Sequence, residues 1–150
     1  MIKKQTMLIY LDFDGTVVEH AYPEIGADNP KALKVIRRLQ DAGHHIILNT
    51  YRADLNDGSL QEALNYLNHI GRNLLPLTEH TALKINPPAW NWDQAVQDNT
   101  LFIDDVSSGT PMIPNIQLPY GKQVDWRTLE SWFEENGCFG FPQITQKTAD

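Results

Sequence analysis

The sequence predicts an α/β domain with a doubly wound, Rossmann-like parallel sheet of about five strands and helices on both faces. Three observations predict it. Short apolar runs alternate with stretches of helical periodicity, the pattern of strand–helix–strand units. Met7–Phe13 is almost wholly apolar up to Asp12, as a central strand buried on both faces should be. Polar residues then close several apolar runs, at the strand ends where an open parallel sheet places its ligand crevice. The 150 residues suffice for one domain. The core is expected over 1–136, with 137–150 as a loosely held tail.

After the first strand, Thr16–Asp28 reads as a short flap, with a hairpin through Val17–His20. Asn29 is expected to cap a first helix with Pro30 at its first position. Leu33, Ile36 and Leu39 share one face of that helix, and Gly43 ends it. His45–Thr50 is a second buried strand. Ser59-Leu60-Gln61-Glu62 has the form of a capping box, opening a helix whose inner stripe is Leu60, Ala63, Leu64, Leu67 and Ile70, closed by Gly71. Leu74–Leu77 is a weak third strand interrupted by Pro76. His80–Asn99 holds a loop and a short helix, and Thr100–Asp104 is a fourth strand. Asn115–Leu118 is expected at the sheet edge as a fifth. Asp125 caps a last helix through Glu134 that buries Leu129, Trp132 and Phe133.

Composition is that of a soluble globular chain, 41% hydrophobic and 21% charged. A net charge of −7 disfavours a nucleic-acid partner. The single cysteine, Cys138, excludes an internal disulfide and a cysteine-based metal cluster. Met7–Leu11 is too short to span a bilayer. Lys3 and Lys4 precede it as in a signal peptide, but Asp12 and Asp14 end it at once and no small-residue cleavage site follows. No membrane association and a cytoplasmic location are expected.

The strand ends carry the chemistry. Asp12 and Asp14 follow the first strand, Thr50 ends the second, and Asp104-Asp105 end the fourth. Four carboxylates meeting in one crevice repel each other unless a cation joins them. Magnesium, which takes oxygen ligands and pairs carboxylates with a substrate phosphate, answers that need. Lys84 stands alone between Lys34 and Lys122 and is placed to clamp a phosphate.

In that order, DFDGT (Asp12–Thr16), Thr50 closing IILNT, Lys84, and FIDD (Phe102–Asp105), these residues resemble the four motifs of the haloacid dehalogenase superfamily of phosphohydrolases. The likeness covers roughly 7–118, and DFDGTVVEHAYPEIG resembles the opening of small bacterial members of unassigned substrate. The resemblance implies that Asp12 is a nucleophile forming an aspartyl-phosphate. Asp14 would protonate the leaving oxygen and then activate water, help typically worth about 10² to 10⁴ in rate. Thr50 would hydrogen-bond a phosphoryl oxygen and Lys84 would steady the phosphate charge. Magnesium would be held by Asp12, Asp104 and the backbone carbonyl of Asp14, with Asp105 binding directly or through water. The family's dehalogenases lack the second acid of the first motif, so Asp14 points to phosphoryl chemistry. Neither Thr16–Asp28 nor Arg52–Lys84 has room for the separate cap domain many relatives carry. The resulting open site would admit a bulky substrate or be covered by a neighbouring subunit of a homo-oligomer.

Singly, each residue has a plainer reading: Asp12 and Asp14 a strand-end turn, Thr50 a strand residue, Lys84 a surface lysine, Asp104-Asp105 a turn. The joint order is what points to a magnesium-dependent phosphohydrolase acting on a small phosphorylated substrate. Arg52 could grip a substrate carboxylate or second phosphate, or form a surface salt bridge. Glu19, His20 and Tyr22 read as solvated flap, His44 and His45 as structural, and Trp90, Trp92, Trp126 and Trp132 as core or interface. A phosphotransferase and a non-catalytic binding module on the same scaffold are the rival functions. A receiver-type signalling module is disfavoured, because its paired acids lie on the first strand and its acceptor aspartate mid-chain.

Overall fold

The computed structural model describes residues 6–140; Lys3 and Lys4, and 141–150 of the expected tail, lie outside the described residues. β1 (Leu8–Leu11) is the middle strand of a parallel sheet, between β2 (His45–Leu48) and β3 (Thr100–Ile103). The register sets Ile9 beside Ile46 and Leu101, and Leu11 beside Leu48 and Ile103. Those six side chains are buried and make one face of the sheet. The other face is only half-buried, with Tyr10 stacked on Phe102 at 4.8 Å between ring centroids. Each strand therefore alternates rather than being buried on both sides.

Around the sheet run α1 (Ala32–Asp41), α2 (Arg52–Leu55), α3 (Ser59–Leu67), α4 (Trp92–Asp98) and α5 (Trp126–Glu135). β4 (Met112–Pro114) and β5 (Lys122–Val124) form a separate antiparallel pair. The expected doubly wound sheet of five parallel strands is not formed: the parallel sheet has three strands, and the small second sheet has two. Prolines account for both differences, since a residue without an N–H cannot serve a ladder on both sides. Leu74–Leu77, interrupted by Pro76, is not a strand. The chain meets β2 only at a single bridge further on, where Leu48 bonds to Glu79 and Thr81. Asn115–Leu118 lies between Pro114 and Pro119 and becomes a turn, closed by bonds from Leu118 to Asn115 and from Gly121 to Leu118. The residues on either side of that turn pair with each other instead.

The helix ends differ locally from expectation. Asn29 does not cap α1; its Nδ2 donates to the carbonyls of Thr16 (2.9 Å) and Val124 (2.8 Å), tying the flap to β5. Lys31, at φ 67°, precedes the helix. Gly43 does end α1: at φ 96° it lets its own N–H reach Gln40 and that of His44 reach Leu39. The expected capping box does not form on α3: Gly58 precedes the helix, and Asp57 Oδ1, one residue earlier, accepts from both the N–H and the hydroxyl of Ser59. Asp125 caps α5 as expected, accepting from Thr128 N–H at 3.1 Å.

Val35, Ile36 and Leu39 of α1, Ala63, Leu64 and Leu67 of α3, and Trp126, Leu129 and Phe133 of α5 join the buried face of the sheet in one core cluster. Ile70 falls beyond α3 and is exposed. Burial of each large side chain contributes roughly 1.5–3 kcal/mol. His44 is structural: its ring accepts from Met7 N–H at 3.0 Å and meets the Cys138 carbonyl at 2.6 Å. At the start of the expected tail, Cys138 is buried and Phe139 packs edge-on against Phe133. No described helix is long and apolar enough to cross a membrane.

Candidate active site

β1 delivers Asp12 to the carboxyl edge of the sheet, its backbone still laddered by an N–H bond to Ile103. The chain then turns sharply, the N–H groups of Thr16, Val17 and Val18 all converging on the Phe13 carbonyl. Gly15 makes the turn possible at φ 83°. A Cβ there would also lie 2.2 Å from Asp105 Oδ2, so the close approach of the two motifs requires glycine. Thr16 is locked in place by donors from Asn29 and Trp126 to its carbonyl.

Asp12 is 4% exposed. Its Oδ2 accepts from the Thr16 hydroxyl at 2.7 Å, and its Oδ1 from Lys84 Nζ at 2.9 Å. The same ammonium lies 2.7 Å from Asp104 Oδ2. That contact is an ion pair without hydrogen-bond geometry, and Asp104 Oδ2 is left as a buried oxygen lacking a hydrogen bond. Asp104 Oδ1 accepts from Val106 N–H, and Asp105 N–H donates to Thr16 Oγ1. Thr16 thus joins the first and last acidic segments through one hydroxyl.

Lys84 arrives on a loop that Asn49 pins. The Asn49 side chain takes the Ile85 N–H (2.8 Å) and gives a bond to the Ile85 carbonyl (2.9 Å), while Asp54 accepts the Lys84 N–H. Sequence reasoning assigned no role to Asn49 or Thr16; the signals were that Asn49 precedes Thr50 at a strand end and that Thr16 closes the DFDGT motif. Thr50 is buried beside them, its Oγ1 accepting from Arg52 N–H at 3.2 Å, which leaves its proton free to be donated into the cleft.

Asp12, Asp104 and Asp105 offer oxygens that all lie within 4.8 Å of one another. Burial, and then the neighbouring Asp104, push the Asp12 carboxyl well above the usual carboxylate range, against the pull of Lys84. Burial likewise raises Asp105 to about 6. Burial would lower the Lys84 pKa, but Asp12 and Asp104 outweigh it and hold the amine protonated above its ordinary value. If all three carboxylates ionised, one ammonium would leave an excess of two negative charges in a buried site, and burial with that repulsion is why Asp12 and Asp105 hold their protons more tightly than usual. A hard divalent cation such as magnesium would relieve that repulsion, and would give Asp104 Oδ2, otherwise met only by the Lys84 charge, a further partner.

Asp14 does not join this cluster through its side chain. It forms a bidentate pair with Arg52, Oδ2 to Nε at 2.7 Å and Oδ1 to Nη2 at 2.8 Å. Arg52 is 1% exposed. Its remaining donors go to the carbonyls of Glu24 (3.0 Å) and Ser59 (3.4 Å), and its guanidinium lies 5.2 and 5.0 Å from the ring centroids of Phe13 and Tyr22. The structure therefore sets Arg52 against Asp14, not on the surface.

A cleft of about 530 Å³ opens above these groups, lined at its floor by Asp12, Asp14, Thr50 and Lys84. His20 and Tyr22 belong to its wall rather than to a solvated flap; Tyr22 donates its hydroxyl to Asp57 at 2.6 Å. The indoles of Trp90 and Trp92 pack edge-on against Trp132 as a half-buried group against the core, and none of the three lines this cleft.

No family model matches the chain, and no curated protein is similar to it. A solved structure of a conserved protein from Bacteroides thetaiotaomicron is similar, at 28% identity and a TM-score of 0.56, over 88% of this chain and 93% of that one.

Proposed function

We propose that the chain is a magnesium-dependent phosphohydrolase of the haloacid dehalogenase type, which cleaves a phosphate monoester through an aspartyl-phosphate on Asp12. One observation carries the reading: three buried aspartates from opposite ends of the chain converge at the strand edge with a buried lysine between two of them. Burying so much like charge is costly for a fold and useful for binding a metal-bound phosphate.

In this reading Asp12, Asp104 and Asp105 would hold the ion, with the backbone carbonyl of Asp14. Bound there, magnesium would offset the repulsion between an anionic nucleophile and an anionic phosphate. Thr50 and Lys84 hold the phosphoryl oxygens, Thr50 as a neutral donor and Lys84 by charge. An Asp12 oxygen bonds to phosphorus as the ester oxygen departs, and that oxygen takes a proton from Asp14, which must enter this step protonated and so released from one of its two Arg52 contacts. Asp14 then receives a proton from water as the water oxygen attacks phosphorus, releasing inorganic phosphate and restoring Asp12. Arg52 sets the direction of Asp14 in the resting site, where it grips both carboxylate oxygens.

The substrate class is a small phosphorylated compound, consistent with the acidic net charge that disfavours nucleic acid. A cytoplasmic setting agrees with the lone buried cysteine. The test is phosphate release from a panel of monoesters, with magnesium or chelator, from the native chain and Asp12→Asn. Magnesium-dependent release lost in Asp12→Asn is expected. Release untouched by Asp12→Asn refutes the nucleophile, and transfer of the phosphoryl group to an added alcohol in place of water would make the chain a phosphotransferase.

A further inference from the structure

The floor of the cleft accounts for a phosphate, but not for the walls. Nine large hydrophobic side chains are exposed among the described residues, and four of them, Tyr51, Leu55, Val106 and Tyr120, line this one cleft. Exposed apolar side chains scattered singly need no explanation; a cluster of them around a polar floor does. Tyr51, Val106 and Tyr120 are each more than half exposed, at 53%, 60% and 66%. The collar is also built rather than accidental. Tyr120 is held by an edge-to-face contact with His20 at 4.7 Å, which links the β4–β5 turn to the flap. Tyr51 sits with its ring 4.9 Å from Lys84 Nζ, directly beside the phosphate-clamping ammonium. Lys122 supplies a cation at the same rim.

We infer that this collar binds the leaving group, and that the leaving group carries a planar aromatic ring of nucleobase type on the far side of the phosphate-bearing alcohol. The inference rests on the phosphate-binding floor proposed above. Three features favour this occupant over a bare polyol. The wall offers ring faces and aliphatic side chains, which stack on a base whatever its hydrogen-bonding pattern. Four of its wall residues, His20, Tyr22, Tyr51 and Tyr120, carry rings, a density suited to a planar ligand rather than to a polyol. Its volume of about 530 Å³ lies in the range of a pocket for a whole organic ligand, well beyond a phosphate group. Tyr51 and Tyr120 are the specificity-determining residues in this assignment.

The experiment compares adenosine 5′-monophosphate with ribose 5-phosphate, which share the same 5′-phosphate ester and differ by the base. Equilibrium binding with magnesium to Asp12→Asn separates recognition from turnover; kcat/KM on the native chain is measured in parallel. The nucleotide is expected to bind at least about tenfold tighter, the effect of stacking a base on aromatic side chains. That ratio should fall toward one in Tyr51→Ala and Tyr120→Ala, and persist in Tyr120→Phe, which keeps the ring. Both positions are exposed, so circular dichroism of each of the three variants should match the native chain. Equal affinity for the two ligands, or a ratio unmoved by both alanine variants, overturns the inference. Ribose 5-phosphate hydrolysed as well as the nucleotide would refute the collar and leave the phosphohydrolase standing. A base preference in binding with no phosphate release from either compound would do the reverse.

Discussion

Replacing Arg52 with methionine keeps most of the side chain's length and removes its charge and all its donors. The structure sets the cost. Arg52 is 1% exposed and forms a bidentate pair with Asp14 at 2.7 and 2.8 Å, plus bonds to two backbone carbonyls. Breaking a buried ion pair by removing one partner typically costs about 3–5 kcal/mol, because the remaining charge and carbonyls stay buried without partners. For a chain of this size, each kcal/mol moves Tm by about 2–4 °C, so a fall of roughly 6–20 °C is expected. Arg52→Lys should recover only part of it, since an ammonium cannot grip two carboxylate oxygens at once. The assay is thermal and denaturant unfolding of native, Arg52→Met, Asp14→Leu and the double variant. Because both single variants remove the same pair, the double variant should be less destabilised than their sum, with a coupling of at least about 1 kcal/mol. A Tm loss below about 3 °C in Arg52→Met, or additive single losses, would refute Arg52 as the anchor of Asp14.

Lys84→Met should leave Asp12 and Asp104 facing each other without their ammonium; magnesium should then raise Tm by more in the variant than in the native chain, while phosphate release falls at least about tenfold. Gly15→Ala would force a Cβ to 2.2 Å from Asp105 Oδ2 at φ 83°, and should lose about 1–3 kcal/mol of stability together with magnesium-dependent activity, read by denaturant unfolding and phosphate release. Glu130 is bonded by Lys31 at 2.6 Å and Arg38 at 2.9 Å; although burial opposes it, these cations hold its carboxyl below its ordinary value of 4.5. A depressed folded pKa contributes stability that is present above 4.5 and lost as pH falls through the lower folded value. Glu130→Gln should therefore lower stability by about 1 kcal/mol at pH 7 and leave it nearly unchanged near pH 2, checked by unfolding across that range.

The middle of the sheet was legible because its strands are local apolar runs with polar ends: Met7–Phe13, His45–Thr50 and Thr100–Asp104 each contain a strand of the observed sheet. The same runs announced Asp12, Thr50, Asp104 and Asp105, since a strand's last residue and its side chain's surroundings follow directly from where the run stops. Gly43 and Asp125 were equally plain, being local backbone and capping choices. What failed was whatever depended on partners. Leu74–Leu77 and Asn115–Leu118 have strand-like content, but pairing needs N–H groups and a neighbour in register, and prolines at 76, 114 and 119 withhold the first.

Sequence by itself determined which residues end the strands, because hydrophobic periodicity and its interruption are properties of neighbours along the chain. Only the tertiary structure decided that Asp14 faces Arg52 while Asp12 faces Lys84, two residues apart yet turned to different cations. That choice is made by the Gly15 turn, by Asn49 holding the Lys84 loop, and by the burial of Arg52 between Phe13 and Tyr22. All of these join segments distant in sequence, and a contact between distant segments exists only once the core has closed around them.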